Sequence, residues 1–121
     1  MVLVGIAIAG AVGAPVRYLV DRICAERVAG RFPLGTLVVN VTGSFVLGVI
    51  AGLALYHGFP STPRSVLGTG FCGAYTTFST FTYETVALVE ERAYAIAIRN
   101  VALGAIVPAA AAGVGLALAA L

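Results

Sequence analysis

GTGFCGAYTTFSTFTYE, running from Gly68 to Glu84, decides how the rest of the chain is read. Gly68, Gly70 and Gly73 are followed by Thr76, Thr77, Ser79 and Thr80, then by Tyr83 and Glu84, in an otherwise apolar neighbourhood. That chemistry is out of place on a lipid-facing helix, where every polar group must find its partner inside the protein. Glycine at this density weakens a helix. Open backbone at membrane depth is tolerated only when it is buried in protein or lines a cavity, where its carbonyls are available to a cation. The stretch therefore allows a break in a spanning helix, the alternative being a flexible but unbroken helix packed through its glycines. At helical spacing, Thr76, Thr77, Ser79, Thr80, Tyr83 and Glu84 share one broad arc, with Phe78 and Phe81 on the other side. A single Ser or Thr can bond back to its own helix and means little. Five hydroxyls on one arc ending at a carboxylate are less easily dismissed.

Composition sets the frame around that stretch. Of the 121 residues, 60% are hydrophobic and only 10% are charged, and the mean hydropathy is +1.04. These values belong to an integral membrane protein. A spanning helix needs about 20 mostly apolar residues, and uncharged runs of that order occur at Phe32 to Tyr56, Ser65 to Tyr83 and Asn100 to Leu121. The run from Val2 to Val16 reaches Val20 if Arg17 faces protein or water. The expectation is an all-α, multi-pass protein of the cell membrane: one transmembrane domain over residues 1–121, with four spans near 2–20, 33–56, 65–88 and 94–120. No basic segment precedes the first apolar run, and Gly13-Ala14-Pro15 leads directly into Arg17, so a cleaved signal peptide is not expected.

Several function classes fall away. Cys24, Cys72 and the single histidine, His57, are too few for a zinc site. No histidine stands near a serine nucleophile inside a span, which leaves hydrolytic chemistry little to work with. Cys72 lies within a span, which argues against a disulfide, and a net charge of +2 is too small to suggest nucleic acid.

The flanking spans carry small and polar residues in register. Gly5, Ala9 and Gly13 recur every four residues, a stripe on which another helix can pack closely. Arg17, just inside the first span, must snorkel, pair or face a water-filled vestibule. Asp21 to Arg31 reads as a short, solvated polar connection. Pro33 then suits the opening turn of the second helix. In the second span Asn40, Ser44 and Gly48 lie on one face, and Gly48 with Gly52 continues the small stripe. An asparagine amide at this depth needs partners; it either bonds another helix or presents its N–H groups to a pathway. His57 to Arg64 reads as a turn with a solvated histidine, and Arg99 as the wet end of the last span.

Three segments now carry a resemblance: GAPVRY at Gly13 to Tyr18, PLGTLVVNVTGSFVLG at Pro33 to Gly48, and GTGFCGAYTTFSTFTYE at Gly68 to Glu84. Together they resemble the small CrcB/Fluc fluoride channels. The resemblance implies a four-helix subunit working as an antiparallel dimer, with two fluoride pores at the subunit interface and a central sodium ion. It implies Asn40 as a pore-lining donor, Phe78 and Phe81 as ring edges beside the fluoride path, Ser79 and Thr80 on a polar track towards Glu84, and Arg17 near an aqueous entrance. It places the helix break at Gly73 to Thr76, where the backbone carbonyls of those two residues, two from each subunit, would hold the sodium. The physics agrees with these roles. Fluoride is small and strongly hydrated, so a dry pore must replace its water with compact donors, and aromatic edges carry the positive end of the ring quadrupole. A buried cation offsets the repulsion felt by an anion passing nearby in low dielectric.

Two features depart from that pattern. The family tends to place a tyrosine and small hydroxyl residues on the fourth span, where this chain has Ile96, Asn100 and Gly104; Asn100 could substitute as a donor, while Ile96 offers no aromatic. The arginines are also uneven. Arg22, Arg27, Arg31 and Arg92 sit in the first and third connections, with Arg17 and Arg99 at their edges, and Arg64 stands alone on the other side. The positive-inside rule then puts both termini outside and raises pairing with an inverted relative as an alternative to a homodimer. The rival functions are a small four-helix proton-coupled exporter, which needs a titratable carboxylate in a substrate cavity, and a non-conducting scaffold held by its small-residue stripes.

Overall fold

The computed structural model describes residues 1–121 and is helical throughout apart from short connections, with no strand. Three helices are long and apolar enough to cross a membrane: α1 (Val2–Arg27), α2 (Leu34–His57) and α6 (Tyr94–Ala119). The apolar run between α2 and α6 takes a different form. It begins as α3 (Ser61–Ser65), widens into π-type turns over Val66–Cys72, tightens into the single turn α4 (Gly73–Tyr75), and resumes as α5 (Ser79–Glu90). Between α4 and α5, residues 76–78 leave the helix, with Thr76 extended at φ −81° and ψ 160°.

The break therefore falls at Thr76–Phe78, later than the expected Gly73 to Thr76. Gly73 retains helical dihedrals. The glycines before it serve close packing instead. A Cβ on Gly70 would lie under 3.0 Å from Ile6 O and from Ala9 Cβ, and one on Gly13 would do so with Phe71 O. The small stripe of α1 thus docks against the π-type turns, as its spacing predicts. Between α2 and α6 the approach is equally close: a Cβ on Gly48 would collide with the Ala112 backbone, and one on Gly115 with Phe45 O. Lipid gives helices no hydrophobic reason to associate, so contact of this closeness is what holds them.

The ends of the molecule differ from expectation in two places. Asp21 to Arg27 belongs to α1, where Arg22 and Glu26 pair at 2.9 Å one turn apart, so the true connection is only Val28 to Pro33. His57 is not a free loop residue: it ends α2, and its Nε2 donates to Ala119 O at 2.8 Å, tying the last turns of α2 and α6 together. Gly58 follows at φ 65°, the left-handed cap that lets Phe59 N–H reach back to Leu53 O. At the opposite end Arg31 pairs with Glu91, joining the connection after α1 to the one before α6.

Candidate functional site

The site grows from one asparagine. Asn40 sits in α2 facing the break, and its carboxamide meets the Thr77 backbone twice: Thr77 N–H donates to Oδ1 at 2.8 Å, and Nδ2 donates to Thr77 O at 2.9 Å. In an unbroken helix the Thr77 N–H would bond to Gly73 O. Asn40 takes that donor away. One turn further, the N–H that would serve Thr76 O belongs to Thr80, and it donates instead to Thr77 Oγ1 at 3.1 Å. Both carbonyls singled out in the sequence, those of Gly73 and Thr76, are thus left without their helical donors.

Local sequence explains why the break can approach α2 at all. Gly43 lies three residues beyond Asn40, and a Cβ there would run into Thr76 Cγ2 under 3.0 Å away, with the Tyr75 ring at 3.1 Å. Tyr75 is buried, stacks on Phe71 at 5.6 Å, and its hydroxyl lies 2.9 Å from Thr42 Oγ1. Amide, small residue and hydroxyl, all on α2, therefore seat the end of α4.

The expected path residues divide among three adjoining cavities. A groove of about 300 Å³ is lined by Asn40, Ser44, Thr76, Phe78, Phe81 and Gly104, among others. Its two phenylalanines lie with centroids 5.9 Å apart and rings tilted by 35°. Thr77 lines both this groove and a smaller cavity of about 180 Å³ that contains Arg17, Asp21, Thr36 and Thr80. Asp21 in turn lines both that cavity and an outer one of about 440 Å³ that holds Arg31, Tyr83, Glu84 and Glu91. The hydroxyl of Thr36, itself buried, donates to Glu84 Oε1 and links the last two spaces. Ser79 is exposed and lines none of the three, though its hydroxyl lies 3.3 Å from Thr77 Oγ1.

The continuous hydroxyl arc read from helical spacing is not present in that form, because residues 76–78 are not helical. Thr76, Thr82 and Thr85 each donate back to a carbonyl four residues earlier, Cys72, Phe78 and Phe81 respectively. Thr77 and Thr36 carry more of the polar connectivity than the sequence suggested. Thr77 could have been found as the residue at which a break strips the backbone of partners; Thr36, one turn before Asn40, carried only its spacing as a signal.

The last helix, α6, behaves differently again. Asn100 is 2% exposed and lines none of the three cavities. Its Nδ2 donates to Thr85 Oγ1 at 2.8 Å. It thus ties α6 to α5 and does not act as a donor lining the groove. Gly104 reaches the groove by lying directly under the Phe81 ring.

Long apolar helices, an apolar run interrupted at an asparagine clamp, and a chain of cavities lined in part by polar groups along it define a multi-pass membrane protein built around an opened helix. The chain belongs to the family described as CrcB-like protein, Camphor Resistance (CrcB), whose sequence model matches residues 4–116. It is 51% identical over 98 residues to the fluoride-specific ion channel FluC 1 of Leifsonia xyli subsp. xyli, covering 81% of this chain and 72% of that one. To fluoride-specific ion channel FluC 2 of Mycobacterium tuberculosis (strain ATCC 25618 / H37Rv) it is 46% identical over 112 residues, covering 93% and 86%. To the fluoride-specific ion channel FluC of Thermococcus onnurineus (strain NA1) it is 46% identical over 108 residues, covering 88% and 85%. These relatives are named as ion channels, not as enzymes.

Proposed function

We infer that this protein is a fluoride-selective channel that lets fluoride leave the cell passively and so lowers its cytoplasmic concentration. The observation that carries this reading is the groove in which Asn40, fixed by its two bonds to Thr77, stands beside the tilted pair Phe78 and Phe81. Asn40 uses one amide hydrogen on Thr77 O and keeps a second for an anion, while ring edges supply positive quadrupole without water. The polar spaces around Thr80, Arg17 and Glu84 extend the path towards the aqueous end.

The finer architecture belongs to the same proposal. The subunit crosses the membrane four times, its third crossing made of two half-helices, and two subunits pair antiparallel. Support comes from the Arg31–Glu91 pair, which puts the first and third connections at one end, and from the 78% exposure of Phe78, which leaves that ring for a partner to cover. A sodium ion fits the break: the carbonyls of Gly73 and Thr76 lack helical donors, and carbonyl oxygen suits a hard cation. Bound there, the ion would supply positive charge close to the anion path. The partner is a second copy or a related inverted subunit.

Efflux of fluoride and of chloride from liposomes holding the purified protein tests the reading. Rapid fluoride loss with negligible chloride loss is expected; equal loss of both, or no fluoride loss even with a related subunit added, would overturn it. Flux from this chain expressed alone assigns the homodimer, and its absence, restored by adding a relative, assigns the mixed pair.

A further inference from the structure

Thr85 lies one turn beyond Phe81 on α5, and two bonds meet at its hydroxyl. Oγ1 donates to Phe81 O at 2.8 Å and accepts from Asn100 Nδ2 at 2.8 Å. Oγ1 has a single hydrogen, so the two bonds fix each other's direction: with that hydrogen on Phe81 O, a lone pair is turned to the Asn100 amide. Asn100 is almost wholly buried, and losing its partner would leave an unpaired amide in the protein interior. One turn further along α6, the bare Cα of Gly104 lies against the Phe81 ring, where a Cβ would come under 3.0 Å from Cε2 and to 3.0 Å from Cδ2.

We propose that Asn100 and Gly104 are positioning residues for Phe81, Asn100 holding its backbone through the Thr85 hydroxyl and Gly104 setting how deeply its ring sits in the groove. The proposal rests on the reading of that groove as the fluoride path. It gives α6 a role that its lack of small hydroxyl residues, and of an aromatic where Ile96 stands, would otherwise deny it. The wall of the groove there acts through Phe81 and need not touch the ion.

The test uses the full-length protein in liposomes together with 4-fluorophenylalanine at position 81 as a 19F NMR probe of the ring. Asn100→Ala and Thr85→Val are each expected to slow fluoride efflux by about tenfold, the size set by one lost buried hydrogen bond. The double variant should be no slower than either single one, and Thr85→Ser, which keeps the hydroxyl, should conduct as the parent does. Gly104→Ala should move the 19F resonance without removing any hydrogen bond, which keeps the idea open to test should Asn100→Ala not fold. Additive losses in the double variant, or slowed efflux from Asn100→Ala with the resonance unmoved, would overturn the proposal, since Asn100 would then act independently of Phe81. An unmoved resonance in Gly104→Ala would overturn the second half. A parent protein that passes no fluoride even with a related subunit added, with the resonance still responding to both substitutions, would sink the channel reading and leave the positioning of Phe81 standing.

Discussion

Asn40 and Thr77 are joined by a reciprocal pair of hydrogen bonds, 2.8 Å into Oδ1 and 2.9 Å out of Nδ2, so that one side chain on α2 serves as the missing helical partner for a residue across the break. The pair replaces two bonds that a regular helix would have made. A substitution at Asn40 therefore acts on the backbone first and on any passing ion second.

Asn40→Asp is expected to be more damaging than its size suggests. Aspartate still accepts from Thr77 N–H, but it has no hydrogen for Thr77 O, and it places a negative oxygen against that carbonyl and beside the groove. An unsatisfied buried carbonyl costs about 1–3 kcal/mol, so fluoride efflux should fall by more than about tenfold while the protein still inserts and elutes as an assembled species. Efflux at the parent rate would show that the path lies elsewhere.

Thr77→Val should test the cation directly. The hydroxyl draws the Thr80 N–H away from Thr76 O; without it the helix can close by one bond, a change worth about 1 kcal/mol. Thr76 O would then be less available, and the dependence of conduction on sodium should weaken relative to the parent and to Thr77→Ser. Identical sodium titrations for all three would remove the break from consideration as the cation site.

Glu84→Gln separates a passive channel from a proton-coupled exporter. Glutamine keeps an oxygen for the Thr36 hydroxyl but cannot titrate. Efflux should change by less than about tenfold, roughly the effect of one neutral hydrogen bond, and should stay insensitive to an imposed pH gradient. Complete loss of transport, together with gradient-driven transport in the parent, would favour the exporter.

Helix packing gives a paired prediction. Gly48→Ala pushes a methyl into the Ala112 backbone, whereas Gly113, with nothing within 4 Å of its Cβ position, has room for one. Overpacking of this kind costs about 1–3 kcal/mol; thermal unfolding in detergent should show Gly48→Ala clearly destabilised and Gly113→Ala close to the parent. Equal melting of the two would mean that the α2–α6 contact is not limiting.

Much of this was legible in the chain. Apolar runs of spanning length announced α1, α2 and α6, and the spacing of Gly5, Ala9 and Gly13 announced a close-packed face, because both depend only on periodicity and side-chain size. The existence of an interruption in the third run could be read from its glycines. Its position could not, since Gly73 stays helical and the chain opens where Asn40, in another helix, captures the Thr77 N–H. The same holds for the hydroxyl arc, whose geometry assumed a helix through residues that are not helical. Asn100 was visible as a polar residue in an oily span, but its commitment to Thr85 depends on how α5 and α6 meet.

Every bond that shapes the break, from Asn40 and from the Thr77 hydroxyl, is made within a single polypeptide. The kink therefore draws its bonds from the same chain that carries it. In the antiparallel pair proposed above, docking would join two halves that are each already opened by their own side chains.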